Sequence, residues 1–156
     1  SGYKAEMGDA TPALGQSVDI YDDTIVVGAP SGKIGTRGCA VVFTSDHAYP
    51  YYRGWEFATA LEPNDAQAGD RFGHSVSMPN ANTIVVGTPF ENDVSSNAGS
   101  VYVFTGKGSS WTQTQKLTYS GAQADDRFGN TSQVLATTQK EIFVGSLAEK
   151  VIRYRI

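Results

Sequence analysis

The sequence is poor in the residues from which most metal centres and catalytic sites are built. Its 156 residues include one cysteine, Cys39, and two histidines, His47 and His74. A single cysteine excludes an internal disulfide and a cysteine cluster for zinc. Sixteen acidic residues against twelve basic ones give a net charge of -4, and no run approaches the roughly 20 apolar residues of a membrane span. Nothing in the sequence therefore predicts nucleic-acid binding or a membrane-spanning segment.

Glycine and short apolar runs are what the sequence has in quantity. Seventeen glycines and six prolines separate these runs, and 18% of the residues are charged, against roughly 25% in an average domain. This composition favours many strands and turns. The chain has the size of one ordinary domain with its own core.

Three phrases recur in the same order along the chain. The first reads LGQSV from Leu14, FGHSV from Phe72 and FGNTS from Phe128. The second reads TIVVGAP, TIVVGTP and EIFVGSL, and the third reads GCAVVFT, GSVYVFT and KVIRYRI. A fourth phrase, WEFATAL and then WTQTQKL, occurs twice. The repeating unit is about 56 residues long, which indicates a repeat architecture.

Each phrase has the pattern of a short strand, rich in Val, Ile, Phe, Tyr and Thr and bounded by Gly, Pro, Asn or Asp. The run IVVG predicts a strand that is covered on both faces, whereas the alternation in WTQTQKL predicts a strand that is half in solvent. No apolar helical period continues over a dozen residues. The sequence therefore predicts an all-β chain with four strands in each unit.

The phrases RFGHSVSM, TIVVGTP, AGSVYVF and WTQTQKL, in that order, resemble the FG-GAP repeat. This repeat is the unit of the β-propeller in integrin α chains and in many secreted bacterial and protist proteins. The resemblance covers nearly the whole chain, although the third unit departs from it at TSQV and VGSL. It implies a propeller-type array of three four-stranded blades, located outside the cell or at the cell surface.

The repeats divide a single domain into a strand stub and turn at 1–13, a first blade at 14–71, a second at 72–127 and an incomplete third at 128–156. We expect the repeated residues to pack one blade on the next; they are Leu14, Gly15, Gly28, Phe72, Gly73, Gly87, Phe128, Gly129 and Gly145. Glycine suits such positions because it allows close backbone approach.

The third blade lacks a counterpart of WEFATAL, and the first four residues hold the positions of 59–62 in the next unit. A blade without its outer strand has an open edge. Three explanations stay open: an excerpt of a longer propeller, a ring completed by other copies, or strand addition between copies, giving a ring or a filament. The residues expected at such an assembly contact are Ser1, Gly2, Tyr3, Lys4, Val151, Ile152, Tyr154 and Ile156.

The resemblance also raises the question of calcium, because integrin-type repeats often carry a DxDxDG loop between their first and second strands. The corresponding loops here are DIYDDT, SMPNANT and LATTQKE, and none has that spacing of oxygen ligands. We therefore expect no cofactor, with Asp19, Asp22 and Asp23 as the only weak metal candidates. Asp70 and Asp126 each precede an arginine in DRFG, which predicts local Asp to Arg pairing.

Catalytic motifs are missing from the sequence, and we expect no enzyme. The segment GHSVS around His74 lacks the last glycine of the G-x-S-x-G motif, and GKGSS lacks the frame of a phosphate-binding loop. We expect a structural or adhesive module whose partners are other copies of itself or further propeller blades. The alternatives are a propeller that binds carbohydrate or cell-surface protein, and the accessory propeller of a larger secreted hydrolase.

Two surface features remain. An aromatic segment before the fourth strand predicts a surface for sugar stacking or protein contact, through Tyr49, Tyr51, Tyr52 and Trp55. Asn130 begins an N-x-[ST] sequence, the acceptor pattern for N-glycosylation, which matters only in a secretory pathway.

Overall fold

The computed structural model describes residues 14–31, 37–45, 54–130, 135–138, 141–147 and 151–155, with backbone alone for 135–138. All regular structure in these residues is β-strand, as the sequence predicts. No helix in this part of the chain is long and apolar enough to cross a membrane.

The first two sheets are antiparallel, and in each the four strands lie side by side in chain order. The strands of the first sheet are β1 Ser17–Tyr21, β2 Thr24–Ala29, β3 Cys39–Ser45 and β4 Trp55–Leu61. The strands of the second sheet are β5 Ser75–Asn80, β6 Thr83–Thr88, β7 Ser100–Lys107 and β8 Ser110–Leu117.

The third sheet has three described strands in the order β11-β10-β9. They are β9 Leu135–Thr138, β10 Glu141–Gly145 and β11 Val151–Arg155. Three successive antiparallel sheets, each built from one repeat, confirm the prediction of an all-β, propeller-type array. The described residues show sheets stacked in sequence and do not form a closed ring.

Strand burial follows the apolar patterns in the sequence. Every residue of β6 is buried, which confirms a strand covered on both faces, and β8 alternates between exposed and half-buried residues as WTQTQKL predicts. The same register shift occurs between Val42 and Phe43 in β3 and between Val103 and Phe104 in β7. A bulge at the same place strengthens the twist of both blades in the same way.

The sequence alignment of the third phrase is wrong by one residue in the last unit. Ile142 of β10 pairs with Tyr154, just as Ile84 of β6 pairs with Phe104. Tyr154 thus corresponds to Phe104, whereas KVIRYRI aligned from its first letter sets Arg155 there. Because strand side chains alternate between faces, a shift of one residue exchanges the two faces of β11.

Two apolar cores lie between the sheets, and each surrounds one phenylalanine of the FG phrase. Phe72 is fully buried between the first and second sheets, with its ring edge-on to Tyr102 at 5.7 Å and to Phe104 at 5.9 Å between centroids. Phe128 fills the same place between the second and third sheets, 5.9 Å from the ring of Tyr154. The stack is therefore joined by blade-to-blade packing.

Candidate assembly interface

The FG turn joins the second blade to the first and the third blade to the second. The N–H of Phe72 donates to the carbonyl of Arg37 at 2.9 Å, and the N–H of Phe128 donates to the carbonyl of Ala98 at 2.7 Å. Gly38 has a φ of +88° and packs so closely that a Cβ there would overlap the carbonyl oxygen of Phe72. Gly99, with φ +81°, stands in the same relation to Phe128. Two consecutive interfaces thus use one geometry.

A second pair of glycines receives the glycine carbonyl of the FG turn. A Cβ on Gly28 would overlap the carbonyl oxygen of Gly73, and a Cβ on Gly87 would overlap that of Gly129. The same carbonyls accept hydrogen bonds from serine hydroxyls of the preceding blade. The Ser17 Oγ lies 3.1 Å from the Gly73 oxygen, and the Ser75 Oγ lies 2.8 Å from the Gly129 oxygen.

The first FG-like turn, at Leu14 and Gly15, has no such partner among the described residues. The N–H of Gly15 donates to the carbonyl of Gly28 at 3.0 Å, as that of Gly129 does to Gly145 at 3.1 Å, so the turn has the local geometry of its counterparts. Gly15 has a φ of +95°, close to the +87° of Gly73 and the +82° of Gly129. Among the described residues, however, nothing lies within 4 Å of a Cβ built on Gly15. Leu14 is 42% exposed, unlike Phe72 and Phe128.

The outer side of β1 continues this open surface, whereas Val41 of β3, on the same side of the first sheet, is buried. Val18 is 65% exposed and Ile20 is 55% exposed, whereas Val76 and Met78, which hold the same places in the second blade, are 3% and 4% exposed. Val76 and Met78 pack into the core between the first and second sheets. We call the surface formed by Leu14, Gly15, Val18 and Ile20 the leading face.

The opposite end of the stack presents the outer side of the third sheet. We call the surface formed by Phe143, Gly145, Val151 and Arg153 the trailing face. Val151 is 71% exposed, and the Arg153 side chain is 61% exposed with its guanidinium 3.9 Å from the Glu141 carboxylate.

The other two candidate assembly residues of β11 point into the core. Ile152 and Tyr154 pack against the core between the second and third sheets, and the Tyr154 hydroxyl donates to the Thr118 carbonyl at 2.8 Å. Burial raises the pKa of Tyr154. The remaining predicted assembly residues, Ser1, Gly2, Tyr3, Lys4 and Ile156, lie outside the described residues.

The candidate metal ligands do not converge. Asp19 is used at an interface, because its Oδ2 accepts the N–H of Met78 in the next blade at 2.7 Å and its Oδ1 accepts the N–H of Ile20 at 2.8 Å. Asp22 and Asp23 lie in the β1–β2 turn, where Asp23 accepts the Thr24 hydroxyl at 3.2 Å. No group of three or more His, Cys, Asp or Glu residues in the described part of the chain has the arrangement of a metal site.

The predicted pairing of Asp70 with Arg71 is wrong, and at the second turn Arg127 contacts Asp125 in place of Asp126, with 3.7 Å between Nη2 and Oδ1. The buried carboxylate of Asp70 accepts the N–H of Gln67 at 2.7 Å, and that of Asp126 accepts the N–H of Gln123 at 3.0 Å. The arginines turn to the other side, where the guanidinium carbons of Arg71 and Arg127 lie 4.3 Å and 4.8 Å from the centroid of the Phe90 ring. Each carboxylate thus closes its own turn, and both arginines stack on one aromatic ring.

An ionic cluster around Lys116 was not predicted from the sequence. The Lys116 ammonium lies 2.5 Å from Asp65 Oδ2 and 3.3 Å from Glu91 Oε1, and it also contacts the carboxylate of Asp93. The Tyr102 hydroxyl donates to Asp65 Oδ1 at 2.9 Å. These residues come from β8, β7, the connector after β4 and the loop after β6. Their separation in sequence is why no local motif indicates the cluster.

The charges in this cluster perturb one another. Burial alone would lower the pKa of Lys116, but hydrogen bonds to Asp65 and Asp93 outweigh it and raise that pKa above its ordinary value. The Lys116 hydrogen bond lowers the pKa of Asp93, and burial followed by the Asp93 contact raises the pKa of Glu91. Glu91 Oε2 is buried and accepts no hydrogen bond from the part of the chain that the structure describes. The cluster fixes the loop after β6 against the connector between the first two blades.

The structure describes the single cysteine and one of the two histidines. Burial, together with the nearby Arg71 charge, lowers the pKa of His74, whose Nδ1 is buried with no hydrogen-bond partner among the described residues. Cys39 is a buried free thiol whose pKa is raised by burial and by Glu62. His47 lies outside the described residues.

The two predicted surface features are described only in part. Trp55 is half-buried at the start of β4, while Tyr49, Tyr51 and Tyr52 lie outside the described residues. Asn130 is half-buried and its N–H donates to the Arg127 carbonyl at 3.0 Å, but the two residues that complete its acceptor sequence are also outside.

The comparison with protein families agrees with this geometry. A model of the FG-GAP repeat matches residues 55–104. The matched segment begins with β4, passes through the FG turn at Phe72 and ends in β7, so it includes the contact between two blades. No curated protein matches the chain. Residues 55–104 therefore contain an FG-GAP repeat.

Proposed function

We propose that this chain is a non-catalytic, extracellular structural or adhesive module that associates head to tail with other copies by strand addition. The observation that carries the proposal is the outer edge of β11. In the first two sheets the third strand pairs with a fourth, β3 with β4 and β7 with β8. In the third sheet, β11 pairs with β10 and with no other described strand.

An unpaired strand edge has backbone donors and acceptors that another strand can satisfy. The side chains of β11 alternate between the core and the outer side, as required of a strand inside a sheet. A fourth strand added here would repeat the architecture of the first two blades. Strand addition of this kind gives affinity through main-chain hydrogen bonds.

The N-terminal segment has the right position in the repeat to supply that strand. Residues 1–4 hold the places of 59–62, which form the end of β4 and the start of the connector. Leu61 pairs with Ala40 in the first sheet, and Leu117 pairs with Val101 in the second. By the same register, Tyr3 of one copy pairs with Val151 of another.

The FG-GAP repeat supports an extracellular site of action, because such repeats typically occur in extracellular proteins. The non-catalytic assignment rests on what the described side chains do. His74, Cys39 and the carboxylates of the DRFG turns serve packing or local hydrogen bonds, and the Lys116 cluster ties two loops together. The proposed activity therefore lies in the ends of the stack.

Removal of residues 1–4 tests the proposal. Size-exclusion chromatography with light scattering, over a range of protein concentrations, is expected to show oligomers of the full chain and a shift toward monomer after the deletion. The matched control replaces Ser1, Gly2, Tyr3 and Lys4 by alanine, which keeps the main chain that forms the hydrogen bonds and should retain most of the association. A stable monomer with and without these residues would contradict strand addition.

A second candidate function is carbohydrate binding, and one cleft favours it. A cleft of about 260 Å³ lies between the outer strands of the first two blades and is lined by Thr59, Ala60, Leu61, Glu62, Asn64, Phe104, Trp111, Thr112 and Gln113. The half-buried indole of Trp111 offers a surface for stacking, and the amides and carboxylate around it offer hydrogen bonds. A glycan array with the full chain tests this. Gln113→Ala should abolish any signal that Gln115→Ala, two residues along the same strand, retains.

A further inference from the structure

We infer that the leading face is a docking surface for the trailing face of another copy of this chain. The contact repeats the stacking that joins the first blade to the second and the second to the third. This inference deepens the proposed head-to-tail association, on which it rests, by naming the surfaces that meet. It concerns side chains and sheet faces, whereas strand addition concerns the edge of β11.

The two apolar residues of β1 show what is missing at the leading face. Val76 and Met78 are almost fully buried because the first sheet covers them, and Val18 and Ile20 hold the same places with most of their surface exposed. The sheet beneath them is apolar as well. Ile25 and Val27 of β2 are half-buried, whereas their counterparts in β6 are fully buried. A sheet face of this composition is typical of the inside of a blade stack.

The turn at Gly15 shows where the partner comes closest. Its counterpart Gly73 leaves no room for a Cβ, which would overlap the carbonyl oxygen of Cys39 and lie 3.0 Å from the Ala29 nitrogen. A Cβ on Gly129 would lie 2.9 Å from the Ser100 oxygen. Gly15 has the same backbone conformation and open space around it. The turn therefore has the shape of a blade contact, and no described blade packs against it.

The trailing face has the feature that receives this turn. Gly145 corresponds to Gly28 and Gly87, the two glycines that allow the carbonyl of the next FG turn to approach. Phe143 and Val151 lie on the same side of the third sheet as Gly145, because they share its alternation in β10 and β11. In the second sheet these places are held by Val85 and Val101, both fully buried by the third sheet. A second copy therefore fits the leading face through the same three positions.

Charge complementarity favours the same partner. Arg153 and Arg155 lie on the outer side of β11, and Arg155 ends that strand opposite Glu141. In the repeated stacking, this end of the third sheet meets the end of the first sheet where Asp22 and Asp23 form the β1–β2 turn. Opposite charges at this rim guide orientation more than they add affinity.

Single substitutions on the leading face test the inference in the full chain. Gly15→Ala adds a methyl group where the repeated contact leaves no room, and we expect at least tenfold weaker self-association by sedimentation velocity. Gly69→Ala is the matched control, because Gly69 has a φ of +97° and open space around it but lies on a connector away from the leading face. The Gly69→Ala variant has the same backbone strain as Gly15→Ala and should associate like the unaltered chain.

A second pair of variants tests the apolar part of the contact. Val18→Lys should weaken association at least tenfold, whereas Val94→Lys, at another exposed valine, should not. Both residues are exposed in the single chain, so neither substitution should lower the unfolding temperature by more than a few degrees. This separates loss of docking from loss of folding.

The results distinguish docking from strand addition. If the 1–4 deletion has no effect while Gly15→Ala and Val18→Lys weaken association, docking stands and strand addition is wrong. If the deletion weakens association while both substitutions leave it unchanged, docking is wrong. A chain that stays monomeric at all concentrations overturns both.

Discussion

Phe72 and Leu14 begin the same phrase of the repeat, yet they lie in opposite surroundings. Phe72 is fully buried against the blade before it, and its main chain bonds to that blade through the Arg37 carbonyl. Leu14 is 42% exposed, and the glycine after it faces open space. Because the turn at Gly15 already has its positive φ, the local sequence forms the turn and the neighbouring blade supplies the burial. The same phrase can therefore be a core element or a contact surface.

Truncation of Phe72 and of Leu14 to alanine should give the largest difference in stability between the two positions. Phe72→Ala is expected to lower the free energy of unfolding by about 3–5 kcal/mol, because it leaves a cavity between two sheets. Leu14→Ala should lower it by no more than about 0.5 kcal/mol, as for other exposed sites. Urea unfolding followed by circular dichroism measures both.

If Phe72→Ala does not fold, Phe72→Leu provides the same test at smaller cost. This variant places at the second blade the residue that the first blade has. It should remain folded and be less stable than the unaltered chain, whereas Leu14→Phe should leave stability unchanged. Equal losses at positions 14 and 72 would mean that Leu14 is also a core residue.

Alanine at the glycines that receive the carbonyl of the next FG turn should give the next largest loss of stability. Gly87→Ala places a Cβ against the carbonyl of Gly129, a backbone atom that cannot move alone, so we expect a loss of about 1–3 kcal/mol. Gly145→Ala, at the same place in the third sheet, should change the stability of the monomer by much less. Thermal unfolding at low protein concentration measures the pair. A Gly87→Ala chain as stable as the unaltered one would contradict close packing between the second and third blades.

The Lys116 cluster should give a smaller, pH-dependent effect. Lys116→Met is expected to cost about 1–2 kcal/mol at pH 7, less than the roughly 3–5 kcal/mol of breaking a fully buried pair, because Asp65 and Asp93 are about half exposed. Lys107→Met, at an exposed lysine, is the control and should cost little.

The pH dependence of that loss follows from the shifted carboxyl groups. The pKa values of Asp65 and Asp93 are lowered from 3.8, so their contribution is present above that pH and disappears as the pH falls through the lower folded values. Glu91, with a raised pKa, contributes in the opposite sense, and its share is lost as the pH rises above 4.5. The stability difference between Lys116→Met and the unaltered chain should therefore shrink as the pH falls below 3.8. A constant difference would contradict an electrostatic role.

The repeated phrases contain most of the fold, because each strand forms where its own apolar pattern and glycines dictate. The alignment error at β11 arose because KVIRYRI lacks the leading glycine of GCAVVFT and GSVYVFT, so its register depended on pairing with β10. The Lys116 cluster could not be predicted for a related reason. Asp65, Glu91 and Lys116 come together only when the blades stack.

The sequence predicts which residues belong to the FG phrase, but it does not predict which of them are buried or what their side chains contact. Leu14 and Gly15 are recognisable as members of the FG phrase, yet the sequence does not indicate that Leu14 is exposed where Phe72 is buried. Asp70 looked like a partner for Arg71, but the carboxylate closes its own turn and the guanidinium stacks on Phe90, which is distant in sequence. Burial and stacking depend on the assembled blades, and a local pattern does not contain them.

Disulfide trapping of the proposed strand pair tests the central claim most directly. With Cys39→Ala as background, Tyr3→Cys and Val151→Cys place thiols on residues that would lie opposite each other in an antiparallel pair, close enough for a disulfide. Under mild oxidation the account predicts a ladder of covalent dimers and larger species, absent when either cysteine is missing. A product that remains entirely monomeric would contradict head-to-tail association of this chain.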